Sequence, residues 1–311
     1  IPYYNESSTI ALTLDLIEKQ TFKPKEVIFI NSSSTDSSSE NIDSWIANQI
    51  RKYSIKFFNI NSDSKTPSTS KNIGIQYSSY DWIAFMDCGL VFSDRWLENL
   101  VTHLKKNNFR PNIVSGVCKL NGYTAFDMCA VAHTYGVGTN RICIPGSLVR
   151  REVFETTGLF IDNMRASYDR AWQMKTRNIG IIRITPDNNN VSYIGINFSE
   201  SISNLFKKIV MYSMPAIKVK QYYVPIAYIS LSIIIFLIII SSSFYGGLIL
   251  LLYGIIRGYL LPIYKSTNKL KVLSSIKSIF LLPIVGATID IARLCGYFMG
   301  YMNKILSNRN S

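Results

Sequence analysis

Two apolar runs near the C-terminal end constrain the fold of this chain most. Residues 224–240 contain no charged side chain over 17 positions, and residues 248–263 contain one, Arg257, over 16 positions. Each run is close to the ~20 residues that a helix needs to cross a bilayer. The connection between them, SSSFYGG, is short and uncharged. The pattern predicts a helical hairpin over residues 223–264, with two buried helices of a soluble domain as the alternative.

Positive charge is concentrated beside these runs. Residues 200–311 hold twelve lysine and arginine residues against two acidic ones, in a chain whose net charge is +13. Lysines lie on both sides of the predicted hairpin: Lys207, Lys208, Lys218, Lys220, Lys265, Lys269, Lys271 and Lys277. Cytoplasmic flanks of membrane helices are enriched in this way, so we expect both flanks in the cytoplasm, at the cell inner or plasma membrane. Basic residues beside apolar runs favour anionic lipid as a partner and disfavour nucleic acid.

A third apolar segment, residues 279–302, carries Asp290 and Arg293. Such a segment is predicted to lie in the membrane interface or to re-enter, and the pattern also leaves a full span open. Two pairs of glycines at i, i+4 spacing allow helices to approach closely: Gly254 with Gly258, and Gly296 with Gly300.

The cysteines and the first residues give two further expectations. The five cysteines are scattered and form no CxxC motif, so we expect reduced core thiols rather than a disulfide framework. The sequence begins on IPYYNE without the pattern of a signal peptide. We expect this segment to be a first strand that lacks its leading residues.

The first two thirds of the chain alternate strand and helix patterns. Strand-like runs are followed by amphipathic helical stretches, which is typical of parallel strands joined by helical crossovers. The strand-like runs are residues 26–30, 55–60 and 82–86, and the helical stretches lie around residues 10–17, 42–50 and 68–79. The predicted organisation has four parts: an α/β domain at residues 1–200, a basic juxtamembrane linker at 201–222, the hairpin at 223–264, and a basic, amphipathic or third membrane-associated helix with the tail at 265–311.

Asp87 ends one of the apolar strand patterns and is followed by Cys88 and Gly89. A carboxylate at the carboxyl edge of a parallel sheet suits a divalent cation that holds a diphosphate. The alternative is a carboxylate that merely caps the next turn.

Other polar clusters follow the predicted strands. The segment FINSSSTDSSSENI contains Asn31, Ser33 and Asp36, whose side chains can cap a helix or bind a nucleoside. In TSKNIGI, Lys71 is a candidate for a phosphate contact and Asn72 for a backbone contact. A capped turn alone would produce the same residue types.

Two clusters lie further along the chain. In IPGSLVRREVF, we expect Gly146, Ser147 and Arg150 to belong to a substrate-lining loop, although arginines are often merely solvated. Asp169 opens a helical pattern, where a carboxylate either caps the helix or takes a proton from an acceptor hydroxyl.

Four segments in this order resemble the family 2 glycosyltransferases. IPYYNE is similar to their first strand, EVIFINSSSTDSS to their nucleoside-binding turn, TSKNIGIQYSSYDWIAFMDCG to their metal and diphosphate motif, and GLFIDNMRASYDRAW to the segment of their catalytic base. The resemblance implies the GT-A fold, with a mostly parallel central sheet and here a C-terminal transmembrane hairpin. It also implies a nucleotide-sugar donor and a divalent cation, Mg²⁺ or Mn²⁺.

Carried onto this sequence, the resemblance implies roles for individual residues. Asp169 would be the catalytic base and Asp87 the metal ligand. The implied donor-binding residues are Pro2, Tyr4, Asn5, Glu6, Asn31, Ser33, Asp36, Lys71, Asn72, Asp87, Cys88 and Gly89, and the candidates for the acceptor side are Gly146, Ser147 and Arg150.

The sequence departs from the family pattern at three of its motifs. Asn31 and Ser32 stand where relatives commonly have aspartate, the second acid after Asp87 is missing, and Tyr168 replaces the glutamate before the base. A cation at Asp87 would therefore depend on phosphate and water for its other ligands, which magnesium tolerates well. The QxxRW motif of processive members is absent, so we expect one sugar to be transferred per encounter.

The sequence therefore predicts a membrane-anchored, inverting glycosyltransferase. The expected acceptor is a hydroxyl of a glycan, lipid-linked in our interpretation, in bacterial surface polysaccharide biosynthesis. One alternative is a polyprenyl-phosphate glycosyltransferase, whose phosphate acceptor needs no general base. The other is a non-catalytic subunit that binds the donor or acts as a scaffold.

Overall fold

The computed structural model describes residues 1–120, 122–186, 190–193, 201–217, 219 and 223–309. The chain divides into two compact units. The first contains Ile1–Lys119 and Asn140–Ile194, and the second contains Leu120–Thr139 and Gly195–Ser311. The predicted α/β domain of residues 1–200 is thus interrupted, because residues 120–139 are grouped with the C-terminal helices.

The first unit alternates strands and helices, as the sequence pattern predicts. Its elements in chain order are β1 (Pro2–Tyr3), α1 (Ile10–Lys19), β2 (Glu26–Asn31), α2 (Ser38–Gln49), β3 (Lys56–Asn61), α3 (Pro67–Tyr77), β4 (Trp82–Ala84), β5 (Leu90–Phe92), α4 (Trp96–Lys106), β6 (Ile113–Lys119), β7 (Asn140–Arg150), α6 (Arg151–Thr157), α7 (Tyr168–Asn178), β8 (Arg183–Ile184) and β9 (Asn190–Tyr193). The label α5 belongs to a helix of the second unit.

The strands of the first unit form two sheets. Strands β1, β2 and β3 make a three-stranded sheet in which both neighbouring pairs are parallel, as predicted. The second sheet has the order β4-β7-β6-β9-β5, with β8 also beside β6. It is mixed, because β7 is antiparallel to both β4 and β6, whereas β8 and β9 run parallel to β6.

The core of the first unit follows the predicted apolar faces. Ile10, Leu14 and Ile17 of α1 are buried, and Phe29 of β2 is fully buried with them. Burying one such side chain contributes roughly 1.5–3 kcal/mol. The predicted helical face around residues 42–50 extends one residue too far, since α2 ends at Gln49 and Ile50 is 60% exposed.

An apolar cavity of about 470 Å³ lies between the edge strands of the two sheets. Pro2 of β1 and residues 82–84 of β4 line it, together with Val27 of β2 and Leu97 of α4. Since β1 is two residues long, much of the edge of β2 faces this cavity rather than another strand.

A disulfide joins Cys118 in β6 to Cys143 in β7, with the two Cα atoms 6.3 Å apart. The expectation that the cysteines are reduced core thiols is wrong for this pair. The reason is the register of the two strands, which places Cys118 opposite Arg141 and Cys143 opposite Gly116, so that the two cysteines are diagonal neighbours. A separation of 25 residues along the chain gives no sequence signal for this contact.

The second unit is helical. Its elements are α5 (Ala125–Thr134), α8 (Ile202–Ser213), a 3₁₀ turn (Met214–Ile217), α9 (Tyr223–Ser241), α10 (Ser243–Ile255), a π-helical turn (Ile256–Leu260), α11 (Leu261–Lys265), α12 (Lys269–Val272) and α13 (Ile276–Arg309). Ser242 alone separates α9 from α10, which is compatible with the predicted hairpin. Two stretches of helix are long and apolar enough to cross a membrane, Ser243–Lys265 and Ile276–Leu306, and Tyr228–Ser241 is a shorter apolar helix.

Glycines of α13 allow close helix packing within the second unit. A Cβ atom built on Gly296 would lie 2.7 Å from the Cβ of Ser213 in α8, and one on Gly300 would meet the backbone of Met214. Both contacts are too close for a larger residue without a shift of the helices. This agrees with the i, i+4 spacing of the pair, whereas a Cβ on Gly254 would meet nothing within 4 Å.

Candidate functional site

The loops after β1 and β2 are joined by hydrogen bonds. The Asn5 backbone NH donates to Ser34 Oγ at 3.0 Å, and the Thr35 NH donates to Asn5 Oδ1 at 2.8 Å. The Glu6 NH donates to Ser38 Oγ at 2.8 Å. Asn5 has a left-handed backbone with φ of 53°, which asparagine tolerates better than most residues. Parallel pairing of β1 with β2 therefore delivers both loops to one edge of the sheet.

Asp36 organises this pair of loops. Its Oδ2 accepts from the Ser7 NH at 3.0 Å, and its Oδ1 accepts from the NH and the hydroxyl of Ser38 at 3.1 and 2.5 Å. The Ser38 hydroxyl is the main cause that lowers the pKa of Asp36 to about 2, so the side chain is a carboxylate at neutral pH. Its position suits recognition of a hydroxyl group or a base NH, because a carboxylate is an acceptor.

Asn31 and Ser33 lie at the end of β2. Asn31 is buried, donates through Nδ2 to Asn61 Oδ1 at 3.0 Å and accepts at Oδ1 from the Ser34 NH at 2.9 Å. Ser33 has φ of 61°, and its hydroxyl donates to the Ser62 carbonyl at 3.0 Å. Asn31 shapes the turn, and its role in donor binding stays a prediction.

Asp87 follows β4 and forms an ion pair with Lys71 of α3. Lys71 Nζ lies 2.6 Å from Asp87 Oδ1, and the lysine side chain is 1% exposed against 25% for the aspartate. The same Nζ donates to the hydroxyl of Tyr168 at 3.2 Å. Burial alone would lower the pKa of Lys71, but Asp87 and Tyr168 outweigh burial and raise it, so Lys71 is a buried ammonium. Gly89 supplies the turn beyond Asp87 with φ of 76°.

Asp169 stands in the first turn of α7, directly after Tyr168. Within the described residues its carboxylate has no hydrogen bond and no ion pair, and it is partly exposed. Tyr168 is buried, and burial raises the pKa of its hydroxyl to about 12. The residue before the helix, Ser167, has φ of 66° and makes no side-chain cap. Asp169 is therefore available to a ligand.

The residues around Asp87 can hold a divalent cation if most of its ligands come from outside the protein. Within the described ranges, no group of three His, Cys, Asp or Glu side chains is placed to hold a metal ion. A cation here would have one protein carboxylate, Asp87, and would take its remaining ligands from phosphate oxygens and water. Magnesium accepts that ligand set.

Three predicted acceptor-side residues do not lie in a loop. Gly146, Ser147 and Arg150 belong to β7, so the prediction of a substrate-lining loop at this point is wrong. The Ser147 hydroxyl is used by the sheet, since it accepts from the Gly116 NH at 2.7 Å and donates to the Cys143 carbonyl at 2.6 Å. Arg150 pairs with Glu152 at 3.0 Å. A contact of these residues with an acceptor stays a prediction.

Asn72 ties α3 to the segment before α7. Its Nδ2 donates to the Phe160 carbonyl and to Asp162 Oδ1, both at 2.9 Å, and its Oδ1 accepts from the Phe160 NH at 3.0 Å. The predicted backbone contact of Asn72 is present, and it joins α3 to the segment that leads into α7. The convergence of Lys71, Asp87 and Tyr168 is not predicted from the sequence. The signals for it there are a lysine in the TSKNIGI motif and a tyrosine directly before Asp169.

Comparisons with known proteins find similarity to glycosyltransferases. The sequence model of the glycosyl transferase family 2 matches residues 1–125. An uncharacterized glycosyltransferase of Rickettsia bellii is 31% identical over 109 residues, which are 35% of this chain and 15% of that protein. An uncharacterized glycosyltransferase of Haemophilus influenzae is 31% identical over 111 residues, or 34% and 31% of the two chains. The chain thus spans less than a third of the length of these relatives.

A solved structure with a similar fold is the mannosyltransferase PcManGT from Pyrobaculum calidifontis in complex with GDP-Man and Mn²⁺. It aligns with a TM-score of 0.56 at 16% identity, over 93% of this chain and 85% of that one. This likeness shows the GT-A-like α/β fold.

Proposed function

We propose that this chain, whose residues 1–125 match the sequence model of the glycosyl transferase family 2, is a membrane-anchored, inverting glycosyltransferase. It moves a sugar from a nucleotide-sugar donor to a hydroxyl of a glycan acceptor, which we take to be lipid-linked, in bacterial surface polysaccharide biosynthesis. The observation that carries the proposal is Asp169, a carboxylate without a protein partner in the described residues, placed next to the residues that converge on Asp87.

The loops after β1 and β2 would bind the nucleoside part of the donor. Asp36 is held as a carboxylate by the Ser7 NH and by Ser38, which leaves it able to accept from a base or ribose. Asn5 and Ser33 supply the two tight turns in these loops. These contacts and turns support the donor-binding roles that the sequence predicts for Asn5, Ser33 and Asp36.

Asp169 would act as the general base. It takes the proton of the acceptor hydroxyl while that oxygen forms a bond to the anomeric carbon of the sugar. The bond between this carbon and the diphosphate breaks on the opposite face, so the configuration is inverted and a nucleoside diphosphate leaves. When bound at Asp87, Mg²⁺ or Mn²⁺ supplies Lewis-acid stabilisation of the charge on the diphosphate.

The apolar helices support membrane anchoring. The stretches Ser243–Lys265 and Ile276–Leu306 are long and apolar enough to span a membrane. Lysines lie before Tyr223 and after Tyr264, on the two sides of the proposed hairpin of residues 223–264. By the positive-inside rule, these lysines support a cytoplasmic position for both flanks of the hairpin and for the catalytic domain. An enzyme held there meets lipid-linked acceptors at the membrane surface.

The test is donor hydrolysis and transfer by the purified, detergent-solubilised chain. A panel of nucleotide sugars is incubated with Mg²⁺, with Mn²⁺ and with a chelator, and release of nucleoside diphosphate is measured. We expect release from one donor, with loss of the activity in the chelator. Absence of both donor binding and turnover across the panel would replace this proposal with the scaffold alternative.

A further inference from the structure

A buried lysine occupies the place beside the predicted metal ligand. Lys71 Nζ is 2.6 Å from Asp87 Oδ1, and the lysine side chain is 1% exposed. Lysine is almost never fully buried unless its charge is paired, so the fold itself depends on this contact. The positive charge that Asp87 attracts is therefore already supplied by the protein.

Tyr168 holds the lysine at this position. Its hydroxyl accepts from Lys71 Nζ at 3.2 Å, and its ring centroid lies 5.6 Å from the same nitrogen. Tyr168 is 8% exposed, so the ammonium is enclosed between α3, α7 and the segment after β4. Asn72, the residue after Lys71, joins α3 to the segment before α7 through two hydrogen bonds with the Phe160 backbone.

We propose that the ammonium of Lys71 is a resident counter-cation of Asp87, so that a divalent cation binds this site only together with a diphosphate. The inference rests on the proposed function insofar as the diphosphate is that of the donor. Lys71 and Tyr168 are then residues that set the order of binding, with Tyr168 in a positioning role.

Electrostatics gives the reason. A divalent cation that approaches Asp87 alone meets an already neutralised carboxylate and the repulsion of the ammonium. Within the described residues, Asp87 belongs to no group of three His, Cys, Asp or Glu side chains that could hold the ion against that repulsion. A diphosphate brings negative charge of its own and several oxygen ligands, so it restores both the attraction and the coordination number.

The experiment measures Mn²⁺ binding by electron paramagnetic resonance of the full chain in detergent, with inorganic pyrophosphate present or absent. We expect the unmodified chain to bind Mn²⁺ measurably more tightly in the presence of pyrophosphate than in its absence, when the two are compared at the same concentration of free Mn²⁺. For Lys71→Met without pyrophosphate, we expect Mn²⁺ affinity to rise by about tenfold or more, because the repulsion is removed. Lys71→Arg keeps the charge and is expected to show no such gain.

Asp87→Asn in the Lys71→Met background identifies the ligand, because the gained affinity should disappear with the carboxylate. Equal Mn²⁺ affinity in the unmodified chain and Lys71→Met, or a gain that survives Asp87→Asn, would overturn the inference. If circular dichroism shows that Lys71→Met does not fold, the unmodified chain alone still tests the proposal. Tight Mn²⁺ binding by this chain without pyrophosphate would contradict it. These readouts need no sugar donor, so a failed transferase assay does not affect them.

Discussion

His133 and Arg257 are hydrogen-bonded inside the helical unit. Arg257 Nη1 donates to His133 Nδ1, and His133 Nε2 lies 2.7 Å from the Leu282 carbonyl. Because a guanidinium has donors only, Nδ1 must accept, and the proton of the neutral ring must be on Nε2, where it bonds the carbonyl. One imidazole thereby connects α5 with the π-helical turn of residues 256–260 and with α13.

This arrangement predicts a loss of stability in weak acid. Burial, together with the neighbouring Arg257, lowers the pKa of His133 from its ordinary value to about 3. The unfolded chain takes up this proton between the two pKa values and the folded chain does not, so stability is full above pH 6.5 and falls as the pH drops. The loss is about 1.4 kcal/mol per pH unit in that window. Thermal unfolding in detergent between pH 7 and pH 5 measures it.

The control is His133→Gln. The glutamine amide can accept from Arg257 and donate to the Leu282 carbonyl, but it does not titrate. We expect this variant to show a smaller fall of Tm between pH 7 and pH 5 than the unmodified chain. Identical pH profiles of the two would mean that another group is responsible.

A second prediction concerns the ion pair between Arg257 and Asp290. Arg257 Nε lies 2.6 Å and Nη2 2.8 Å from the two carboxylate oxygens, and the two side chains are 11% and 14% exposed. Asp290→Asn leaves the guanidinium without its counter-charge, and removal of one partner of a buried pair costs about 3–5 kcal/mol. We expect a clear fall in Tm in detergent.

Replacement of both partners is the matched comparison. In Arg257→Met/Asp290→Leu the two buried charges are removed together. Among the charged groups of the described residues, only the more exposed Arg293 loses its contact with Asp290 at 3.6 Å, so much of the lost stability should return. A double variant that is as unstable as Asp290→Asn would contradict this account and would assign the loss to packing.

Much of the fold follows from local pattern. The burial of Ile10, Leu14 and Ile17 and the strand at residues 26–31 are set by hydrophobic periodicity, which is a property of neighbouring residues. The apolar helices can also be predicted from the sequence, because they are long runs of apolar residues with almost no charge. Asp36, Asp87 and Asp169 were found because each lies at a strand end or a helix start.

Contacts between distant segments could not be predicted in this way. The segment Leu120–Thr139 joins the helical unit, since His133 packs at Arg257 and Leu282, yet its own sequence shows an ordinary apolar helix. The diagonal pairing of Cys118 with Cys143 depends on strand register, and the enclosure of Lys71 depends on where α7 begins. Each is decided by tertiary packing rather than by local propensity.

The disulfide between Cys118 and Cys143 leads to a third prediction. Closing a loop of 25 residues in the unfolded chain stabilises the folded state by about 3.5 kcal/mol in the chain-entropy model. We expect dithiothreitol to lower the Tm of the oxidised chain, with no effect on Cys118→Ser/Cys143→Ser. A double variant that still responds to the reductant would contradict the assignment.

The same two cysteines test the proposed orientation. The disulfide of the structure is the form expected in an oxidising compartment, whereas cytoplasmic thiols are kept reduced, so the proposed cytoplasmic domain should hold this pair as free thiols in the cell. After cells are lysed in acid, an alkylating reagent should label Cys118 and Cys143 in the denatured chain, as detected by mass spectrometry. Complete protection of both, reversed by reductant, would place the domain on the oxidising side of the membrane and contradict the proposed topology.

The last prediction concerns Asp169 as the general base. Asp169→Asn keeps the size of the side chain but cannot take a proton, so transfer to a hydroxyl acceptor should fall by roughly 10²–10⁴-fold. Donor binding should stay within a small factor, because in the described residues the Asp169 carboxylate makes no hydrogen bond or ion pair that holds the loops after β1 and β2. Turnover is measured as product formed with a glycan acceptor, and binding as quenching of protein fluorescence by the donor. Asp94→Asn, which changes an exposed carboxylate just before α4, is the matched control and should lose far less activity. If Asp169→Asn retains most of its turnover while it binds donor, the acceptor is a phosphate, which needs no general base, and the polyprenyl-phosphate alternative replaces the proposed one.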